Sequence, residues 1–507
     1  MSENENSIFL SGELLAENAR RLTAGETGEY KQRDFVKPLY KYCTDNLFNG
    51  NIGIVYGLRS TGKTVGILQT VKMLIENGYK AAYARFNYEE SGMYEVNAEM
   101  KTLIAKGYTH FFLDEATYLE NFLNKSAEWP DTLTPSHKVK IIVSGTDSFL
   151  LLVASGTSLL HRYKWFSTNW ISYGEYARVT GNTYDEYKMR GGKFTSDEME
   201  MYVQSAVVEN LLHTIKMVEE SNRANYYTER LFGLSNTVII KAVLSIFKCT
   251  VQDYIIENFA EHASQKNIAD MGDALEVLKR ETGINKTPEL KERVANSIEL
   301  YRNFTEVKNP VDVIEALIAF LVRIGCLFET ATAVTDIGTQ NKAYCFANNA
   351  LMNYAIEETI QGIINLQRKN SPEYISGVRQ AAEDKINESI VMAHVLNTSA
   401  INESTSDSEK VFKYRDEKQR EIDVVVVYRK AKTVRLIEVK SAEKLDEVRI
   451  FNKAAAHLYD DEILENIGVD DSFKITREIV YRGETKEFKH AKSDLKLWEI
   501  EDFLCSL

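Results

Sequence analysis

One eight-residue segment constrains the fold of this chain more than any other. Gly57-Leu-Arg-Ser-Thr-Gly-Lys63-Thr64 fits the pattern GxxxxGK[ST] in full, and it lies between an apolar run, Ile52–Tyr56, and a helical pattern from Thr64 to Glu76. A strand, a glycine-rich loop and a helix in that order form a phosphate cradle, because backbone N–H groups and the positive end of the helix dipole converge on one anion. The sequence therefore predicts a site for ATP and Mg²⁺, contacted by Gly57, Arg59, Ser60, Thr61, Gly62, Lys63 and Thr64.

Two carboxylates are expected to complete this site. The apolar run Phe111–Leu113 ends in Asp114 and Glu115. We expect Lys63 to reach the β- and γ-phosphates, and Thr64 and Asp114 to hold Mg²⁺, the carboxylate acting through water. Glu115 is then the candidate catalytic base that polarises the attacking water.

A polar side chain on the following strand is a further candidate. The apolar run Val139–Val143 is followed by Ser144, which could sense the γ-phosphate. The same segment also contains Thr146 and Asp147, either of which would make a good N-cap for the helical pattern that follows. Phosphate sensing and helix capping both remain open for this segment.

The order of the predicted elements defines the fold class. Short apolar runs alternate with helical patterns from Asn51 to about Thr146, which predicts an α/β fold with a parallel sheet and crossover helices. A length of 507 residues suggests about three domains. We predict a lead-in and helix over 1–50, a P-loop NTPase core over 51–185, a helical middle over 186–365 and a second α/β domain over 366–507.

A β-hairpin near the C-terminus predicts a second cluster of charged residues. If Lys430 and Ala431 are the central turn residues, Asp423 lies directly opposite Glu438, and Lys440 shares the face of Glu438. Opposed carboxylates destabilise a sheet unless a cation lies between them, and carboxylate oxygens are good ligands for Mg²⁺. The lysine could then help activate a water that attacks a phosphodiester.

Two further observations concern this second cluster. Glu388, in an upstream helical pattern, could supply a third carboxylate to the metal. Residues 411–453 contain 12 basic and eight acidic residues, a local excess of four positive charges in a chain whose net charge is −13. The net negative charge of the whole chain argues against a nucleic-acid coat over its entire surface, and we expect any DNA contact to lie in this segment or in the middle domain. An ordinary solvated strand face is the alternative.

These motifs resemble a family of bacterial and archaeal AAA-type ATPases that carry a restriction-endonuclease-like, PD-(D/E)xK domain at the C-terminus. The resemblance rests on GLRSTGKT, FFLDEAT, VKIIVSGTDSFLL and REIDVVV…LIEVKS, and it covers most of the chain, least well at the centre. It implies an ATPase core, a winged-helix-like middle and a nuclease fold. It further implies nucleotide-binding roles for Gly57–Thr64, Asp114 and Glu115 and nuclease-type roles for Glu388, Asp423, Glu438 and Lys440.

The chain departs from the family pattern at two places. His161-Arg162 stands where the family often has Gly-Arg, which weakens any assignment of Arg162 as an arginine finger or sensor and favours an ordinary surface arginine. Glu421-Ile422 precede Asp423 where the nuclease motif has proline.

The middle region has an element order typical of a winged helix. A predicted helix, Val311–Arg323, is followed by two predicted strands, Cys326–Ala331 and Lys342–Ala347, although a rigid spacer explains this order equally well.

The cysteines and the apolar stretches indicate the cellular compartment. The five cysteines are scattered without a CxxC pair and are expected to be reduced core thiols of a cytoplasmic protein. The longest apolar stretch, Val313–Phe328, contains Glu315 and Arg323 and is too short for a bilayer span.

Three functional hypotheses follow. The first is an ATPase coupled to a Mg²⁺-dependent DNA nuclease, in genome maintenance, mobile-element biology or defence. The second is an ATP-driven switch or DNA-binding regulator whose nuclease fold does not cleave. The third is a protein-remodelling ATPase without a nucleic-acid partner. Each is compatible with a homo-oligomer.

Overall fold

Two large sheets organise the chain. The computed structural model describes residues 7–25, 28–45, 50–87, 92–157, 159, 162–194, 202–221, 229–231, 234–266, 289–299, 309–333, 340–367, 372–401, 409–416, 418, 420–445, 450, 455–489 and 494–507. A six-stranded sheet lies in the N-terminal third, and an eight-stranded sheet is built from the strands after residue 326.

The N-terminal third contains strands that alternate with helices along the chain. They are β1 (Leu10–Ser11), β2 (Ala24–Gly25), β3 (Gly28–Glu29), β4 (Ile52–Tyr56), β5 (Ala81–Arg85), β6 (His110–Asp114), β7 (Lys140–Gly145) and β8 (Tyr163–Ser167). The sheet order is β1-β5-β6-β7-β4-β8, with β1 antiparallel at one edge and all other neighbours parallel. Because β7 lies between β4 and β6, the carboxyl ends of these three strands meet at one edge, which confirms the predicted parallel sheet.

Helices cover both faces of this sheet, which is why β4 and β7 are apolar and almost fully buried. The helices are α1 (Gly12–Thr23), α2 (Val36–Thr44), α3 (Lys63–Glu76), α4 (Met93–Ala105), α5 (Phe122–Lys125), α6 (Thr134–His137), α7 (Ser148–Gly156), α8 (Tyr173–Thr180) and α9 (Tyr184–Arg190). The structure differs from the predicted lead-in over 1–50, because β1 pairs with β5 and α1 packs against α3. A two-residue strand has no sequence signature, so this attachment could not be predicted.

The described part of the middle region is mainly helical. It contains α10 (Glu209–Ser221), α11 (Asn236–Lys266), α12 (Leu290–Glu299), α13 (Pro310–Arg323), β9 (Leu327–Ala333), β10 (Gln340–Phe346) and α14 (Asn349–Gln367). The predicted order of helix, strand and strand is therefore present in α13, β9 and β10.

The C-terminal region contributes most of the second sheet. Its elements are α15 (Pro372–Ile401), β11 (Glu409–Arg415), β12 (Glu421–Tyr428), β13 (Thr433–Val439), α16 (Asp461–Asn466), β14 (Lys474–Tyr481), β15 (Lys486–Phe488), β16 (Leu495–Glu499) and α17 (Ile500–Ser506). The sheet order is β10-β9-β11-β12-β13-β14-β16-β15.

The boundary predicted at residue 365 divides this sheet. β9 pairs in parallel with β11 through Lys413 opposite Thr332 and Tyr414 opposite Ala333, so the hairpin of β9 and β10 extends the C-terminal sheet. The sequence could not predict this parallel pairing, because the residue pattern of a strand does not show which distant strand it will pair with.

The hairpin of β12 and β13 has the predicted register. Val424 lies opposite Ile437 and Tyr428 opposite Thr433, which corresponds to a turn centred on Lys430 and Ala431. On its other side, β12 contains a bulge. Phe412 pairs with Val425 but Tyr414 with Ile422, so Asp423 and Val424 together face Lys413. A bulge redirects side chains locally, and here it acts at a candidate site residue.

One buried apolar cluster joins all three predicted regions. Phe149 packs edge-on against Phe320 at a centroid distance of 5.3 Å, and Trp170 packs against Phe328 at 5.4 Å. Four of the five cysteines are buried as predicted, but Cys505 is exposed, because α17 buries only the face that carries Phe503 and Leu504. None of the described helices has the length and apolar character needed to cross a membrane.

Candidate functional site

The phosphate loop connects β4 to α3 and is closely packed on its own backbone. A Cβ on Gly57 would overlap Thr168 Oγ1, and Gly62 has a φ of +80°, so both positions favour glycine. The Lys63 Nζ donates to the carbonyl oxygens of Gly57 at 2.7 Å and Leu58 at 2.8 Å. Burial lowers the pKa of this lysine, while Glu115 and Asp114 act in the opposite direction.

The remaining loop residues divide into inward-facing and exposed side chains. The Thr61 hydroxyl donates to Leu58 O at 2.9 Å and lies 2.7 Å from Thr168 Oγ1, so it is used within the protein. Ser60 has a φ of +65°, and its carbonyl accepts a hydrogen bond from Phe194 N at 2.9 Å. Arg59 is exposed at the loop surface. Thr61 could therefore contribute to phosphate binding only through its backbone.

Asp114 receives three hydroxyl hydrogen bonds. Its Oδ2 accepts from Thr64 Oγ1 at 2.8 Å and from the Tyr83 hydroxyl at 2.9 Å, and its Oδ1 accepts from Ser144 Oγ. A buried carboxylate beside the Thr64 hydroxyl and next to a lysine is the donor set that Mg²⁺ with a polyphosphate requires, so these residues fit the predicted ligand. Tyr83 was missed in the sequence, because a tyrosine in a buried strand has no distinguishing signal.

Glu115 is held by the end of β7. Thr146 donates to it from its backbone N at 2.7 Å and from its hydroxyl at 2.5 Å, and Glu115 N donates to Ser144 Oγ at 3.3 Å. Asp147 caps α7 by accepting from Leu150 N at 2.9 Å. Asp147 is therefore the helix cap, whereas Ser144 contacts both acidic residues, and phosphate sensing by Ser144 stays a prediction.

A buried ion pair, which the sequence analysis missed, supports the loop from outside. Arg33 Nε lies 2.5 Å from Glu175 Oε1, both side chains are nearly inaccessible, and Arg33 Nη1 donates to Thr61 O. The partners come from the segment before α2 and from α8, so no spacing in the sequence could relate them. Arg33 is a positioning residue for the phosphate loop.

Arg162 lies away from the phosphate loop. It precedes β8, its carbonyl accepts from Ile52 N at the start of β4, and its side chain pairs with Asp131. It is therefore at the amino ends of the parallel strands, opposite the edge that carries the loop. His161 lies outside the described residues.

The second cluster is built by α15, β11 and β12. Carboxylate oxygens of Glu388, Glu421 and Asp423 lie within 4.8 Å of one another. The sequence analysis predicted that Glu388 and Asp423 lie in the same metal-binding cluster. Glu421 was missed, although its position two residues before Asp423 in an alternating strand was the available signal.

Two lysines lie among these carboxylates. Lys385 Nζ is 2.7 Å from Glu388 and 3.5 Å from Glu421, and Lys413 Nζ is 2.6 Å from Glu421 and 3.9 Å from Glu388. Burial, with Asp423, raises the pKa of Glu388 to about 7 against the opposing effect of both lysines. Burial would also raise the pKa of Glu421, but the lysines outweigh it and lower that pKa to about 2.

Glu438 and Lys440 lie beside this group. Lys440 Nζ is 2.7 Å from Glu438 Oε2, whereas the buried Oε1 of Glu438 has no hydrogen-bond partner. Asp423 Oδ2 accepts from Val439 N at 2.8 Å, which ties β12 to the end of β13. Burial, with Asp423, raises the pKa of Glu438 to about 8. An orphaned carboxylate oxygen beside acidic neighbours fits a cation.

Two known families match parts of the chain. Residues 49–177 match the AAA domain family (AAA_14), and residues 383–480 match a domain of unknown function (DUF4143). Together with the geometry of the phosphate loop, the first match places residues 49–177 among the AAA-type P-loop ATPases. The second match includes Glu388, Glu421, Asp423, Glu438 and Lys440 but attaches no activity to them. No curated protein matches the chain.

The chain also overlaps loosely with solved structures. These include C. elegans PCH-2 (13% identity, 48% of this chain and 70% of that chain, TM-score 0.25) and S. cerevisiae Hsp104 in an extended complex with casein (11% identity, 63% and 52%, TM-score 0.23). A DNA replication initiation factor overlaps with 12% identity over 69% of this chain and 92% of that chain, with a TM-score of 0.21. TM-scores this low do not establish that these structures share the fold of this chain.

Proposed function

We propose that this AAA-type ATPase binds Mg²⁺ with ATP at Gly57–Thr64 and hydrolyses it. The observation that carries the proposal is the buried Lys63 next to the hydrogen-bonded pair of Thr64 and Asp114, 2.8 Å apart. Lys63 would exchange its two loop carbonyls for phosphate oxygens, and Thr64 and Asp114 would hold the metal. Glu115 would orient the attacking water once Thr146 releases its carboxylate, with Ser144 sensing the γ-phosphate.

Two substitutions test hydrolysis. Lys63→Ala should abolish ATP binding and turnover, and Glu115→Gln should lower kcat by about 10²–10⁴-fold while ATP still binds, since only the base is lost. The exposed Glu120, changed to Gln, is the matched control and should retain full turnover. Unchanged turnover in Lys63→Ala or in Glu115→Gln would remove the proposal.

We further propose that the C-terminal region is a nuclease-like domain that acts on DNA with Mg²⁺. Three observations support it: the acidic group of Glu388, Glu421 and Asp423, the orphaned oxygen of Glu438, and the adjacent Lys440. Asp423 and Glu438 would bind the metal with Glu388, and Lys440 would orient the attacking water. The local positive charge of residues 411–453 suits a polyanion.

One observation favours the alternative in which the domain binds DNA without cleaving it. Lys385 and Lys413 already neutralise Glu388 and Glu421 at ion-pair distance, so a metal ion must compete with them. In that case the chain is an ATP-driven switch or DNA-binding regulator.

Cleavage assays separate the two functions. DNA of several forms should be incubated with Mg²⁺, ATP and either the unmodified chain, Lys440→Ala or Lys63→Ala. Cleavage that is lost in Lys440→Ala supports the nuclease. Binding without cleavage supports the regulator, and no binding even at low salt favours a protein-remodelling ATPase.

The position of Arg162 bears on assembly. Because this arginine lies at the edge of the sheet opposite the phosphate loop, it could reach an ATP phosphate only in a second copy of the chain. We propose that ATP favours a homo-oligomer. The particle mass in ATP should exceed that in ADP, and equal masses would contradict this.

A further inference from the structure

Asn387 connects the two candidate sites. It is 3% exposed and directly precedes Glu388 on α15. Its Oδ1 accepts a hydrogen bond from the Tyr184 hydroxyl at 2.8 Å, and its Nδ2 donates to Ser441 Oγ at 3.1 Å. Ser441 directly follows Lys440. One buried amide therefore fixes the chain next to Glu388 and next to Lys440, and it is fixed in turn by a residue of the ATPase side.

The opposite end of this connection reaches the phosphate loop. Tyr184 is the first residue of α9, and the chain after α9 returns to the loop, where Phe194 N donates to Ser60 O at 2.9 Å. The Phe194 ring lies 3.6 Å from the position that a Cβ on Gly62 would take. The segment from Tyr184 to Phe194 therefore contacts Asn387 at its first residue and the phosphate loop at its last, and through these contacts it can pass a displacement from one to the other.

Phosphate binding supplies the displacement. Lys63 Nζ is bonded to the carbonyls of Gly57 and Leu58, and it must leave them to meet a phosphate oxygen. Ser60, which holds Phe194, lies within the same loop and has a left-handed backbone with a φ of +65°. A change in how the loop carbonyls are bonded therefore acts on the segment that leads into α9.

We propose that Asn387 is a positioning residue through which nucleotide occupancy of the phosphate loop sets the placement of Lys440 and Glu388. The connection runs from Ser60 through Phe194 and α9 to Tyr184 and Asn387. This inference rests on the proposed function at the phosphate loop, namely that ATP binds there, and it holds whether or not the C-terminal domain cleaves DNA. The ion pair of Asp185 with Arg482 runs beside it, but it is solvent-exposed and contributes little.

The test uses the full chain carrying Glu115→Gln, so that bound ATP persists. Amide hydrogen exchange is measured over residues 436–445 with and without Mg²⁺ and ATP, and ATP binding is measured separately in the same samples. We expect ATP to change exchange in this segment by about fivefold or more, a typical size for coupling between sites. Tyr184→Phe removes the hydroxyl that holds Asn387 and should abolish most of this response without changing ATP affinity.

Tyr187→Phe is the matched control. Tyr187 lies on the same helix, is equally buried and donates its hydroxyl to Ile171 O at 2.7 Å, but it has no bond to Asn387. The Tyr187 side chain also bonds to Asn349, so Tyr187→Phe should lose at least as much stability as Tyr184→Phe, and yet only Tyr184→Phe should lose the response. Asn387→Leu provides a second variant with the same expectation.

The outcomes are distinct. The connection is overturned if Tyr184→Phe and Asn387→Leu keep the full ATP-induced change in exchange, or if Tyr187→Phe loses that change to the same extent. It is also overturned if the chain carrying only Glu115→Gln binds ATP and shows no change in exchange. Failure of the parent protein to bind ATP overturns the proposed function of the loop, and this inference with it.

Discussion

The carboxylates of the two candidate sites of this chain have different kinds of partner: neutral hydrogen-bond donors at one site and lysines at the other. At the ATP site, Asp114 is bonded to three hydroxyl groups and Glu115 to a hydroxyl and a backbone N–H of Thr146. At the C-terminal site, the carboxylates are bonded mainly to lysines: Glu388 and Glu421 to Lys385 and Lys413, and Glu438 to Lys440.

This difference concerns how each site would accept a metal ion. Neutral donors orient a carboxylate without cancelling its charge, so the ATP site retains its attraction for a cation. Lysines cancel the charge, and protons compete as well, because the pKa values of Glu388 and Glu438 are raised to about 7 and about 8. We infer that the ATP site is prepared for its metal, while the C-terminal site must exchange lysine contacts to bind one.

The largest effect is expected from Lys385→Met. This change leaves Glu388 and Glu421 close together with Lys413 as their remaining lysine, and because Lys413 still compensates part of their charge the cost should be about 3 kcal/mol, the lower end for breaking a buried pair. The free energy of unfolding should fall by that amount, and Mn²⁺ should restore part of it. Lys101→Met, which removes an exposed partner of Glu128, should change stability by less than about 0.5 kcal/mol. Equal stabilisation of Lys385→Met and the parent chain by Mn²⁺ would contradict the comparison.

A smaller effect is expected from pH at the contact between α15 and the ATPase core. His394 Nε2 accepts from Tyr173 N at 3.0 Å, and burial lowers the pKa of this histidine to about 4. The unfolded chain therefore binds a proton first as the pH falls below about 6.5, so stability is lost on acidification, by about 2 kcal/mol between pH 7 and pH 5.

The carboxylates with raised pKa values act with the opposite sign, since they lose stability as the pH rises, so the histidine effect must be measured as a difference. The gap in unfolding free energy between the parent chain and His394→Gln should narrow by about 2 kcal/mol from pH 7 to pH 5. A gap that stays constant would show that His394 does not titrate on unfolding in this range.

The smallest effect is expected from Tyr83→Phe at the ATP site. Burial and Asp114 raise the pKa of Tyr83, so its hydroxyl remains a donor to Asp114. Loss of this bond, worth about 1 kcal/mol, should raise the Mg²⁺ concentration for half-maximal ATP turnover about fivefold. Tyr42→Phe, whose hydroxyl donates to Asn51 O at 3.0 Å, is the control and should leave that concentration unchanged. An unchanged Mg²⁺ requirement in Tyr83→Phe would show that its hydrogen bond does not orient the ligand.

The sequence predicted the parts of both sites that local patterns encode. The phosphate loop, the strand ending in Asp114 and Glu115, and the register of the hairpin that carries Asp423 each follow from spacing within a few residues. The ion pair of Arg33 with Glu175 and the lysines around Glu388 could not be predicted, because they join residues from separate elements. The bulge at Asp423 was also missed, since it depends on how β11 and β12 pair rather than on either strand alone.

The pairing of β9 with β11 has a practical consequence for dissecting this protein. A fragment that begins after residue 365 would lack β9 and β10 and would leave the edge of β11 that faces β9 unpaired, although β11 would still pair with β12. An unprotected strand edge promotes association between chains. Such a fragment would tend to aggregate on expression, whereas one that begins before β9, ahead of Leu327, would retain the complete sheet.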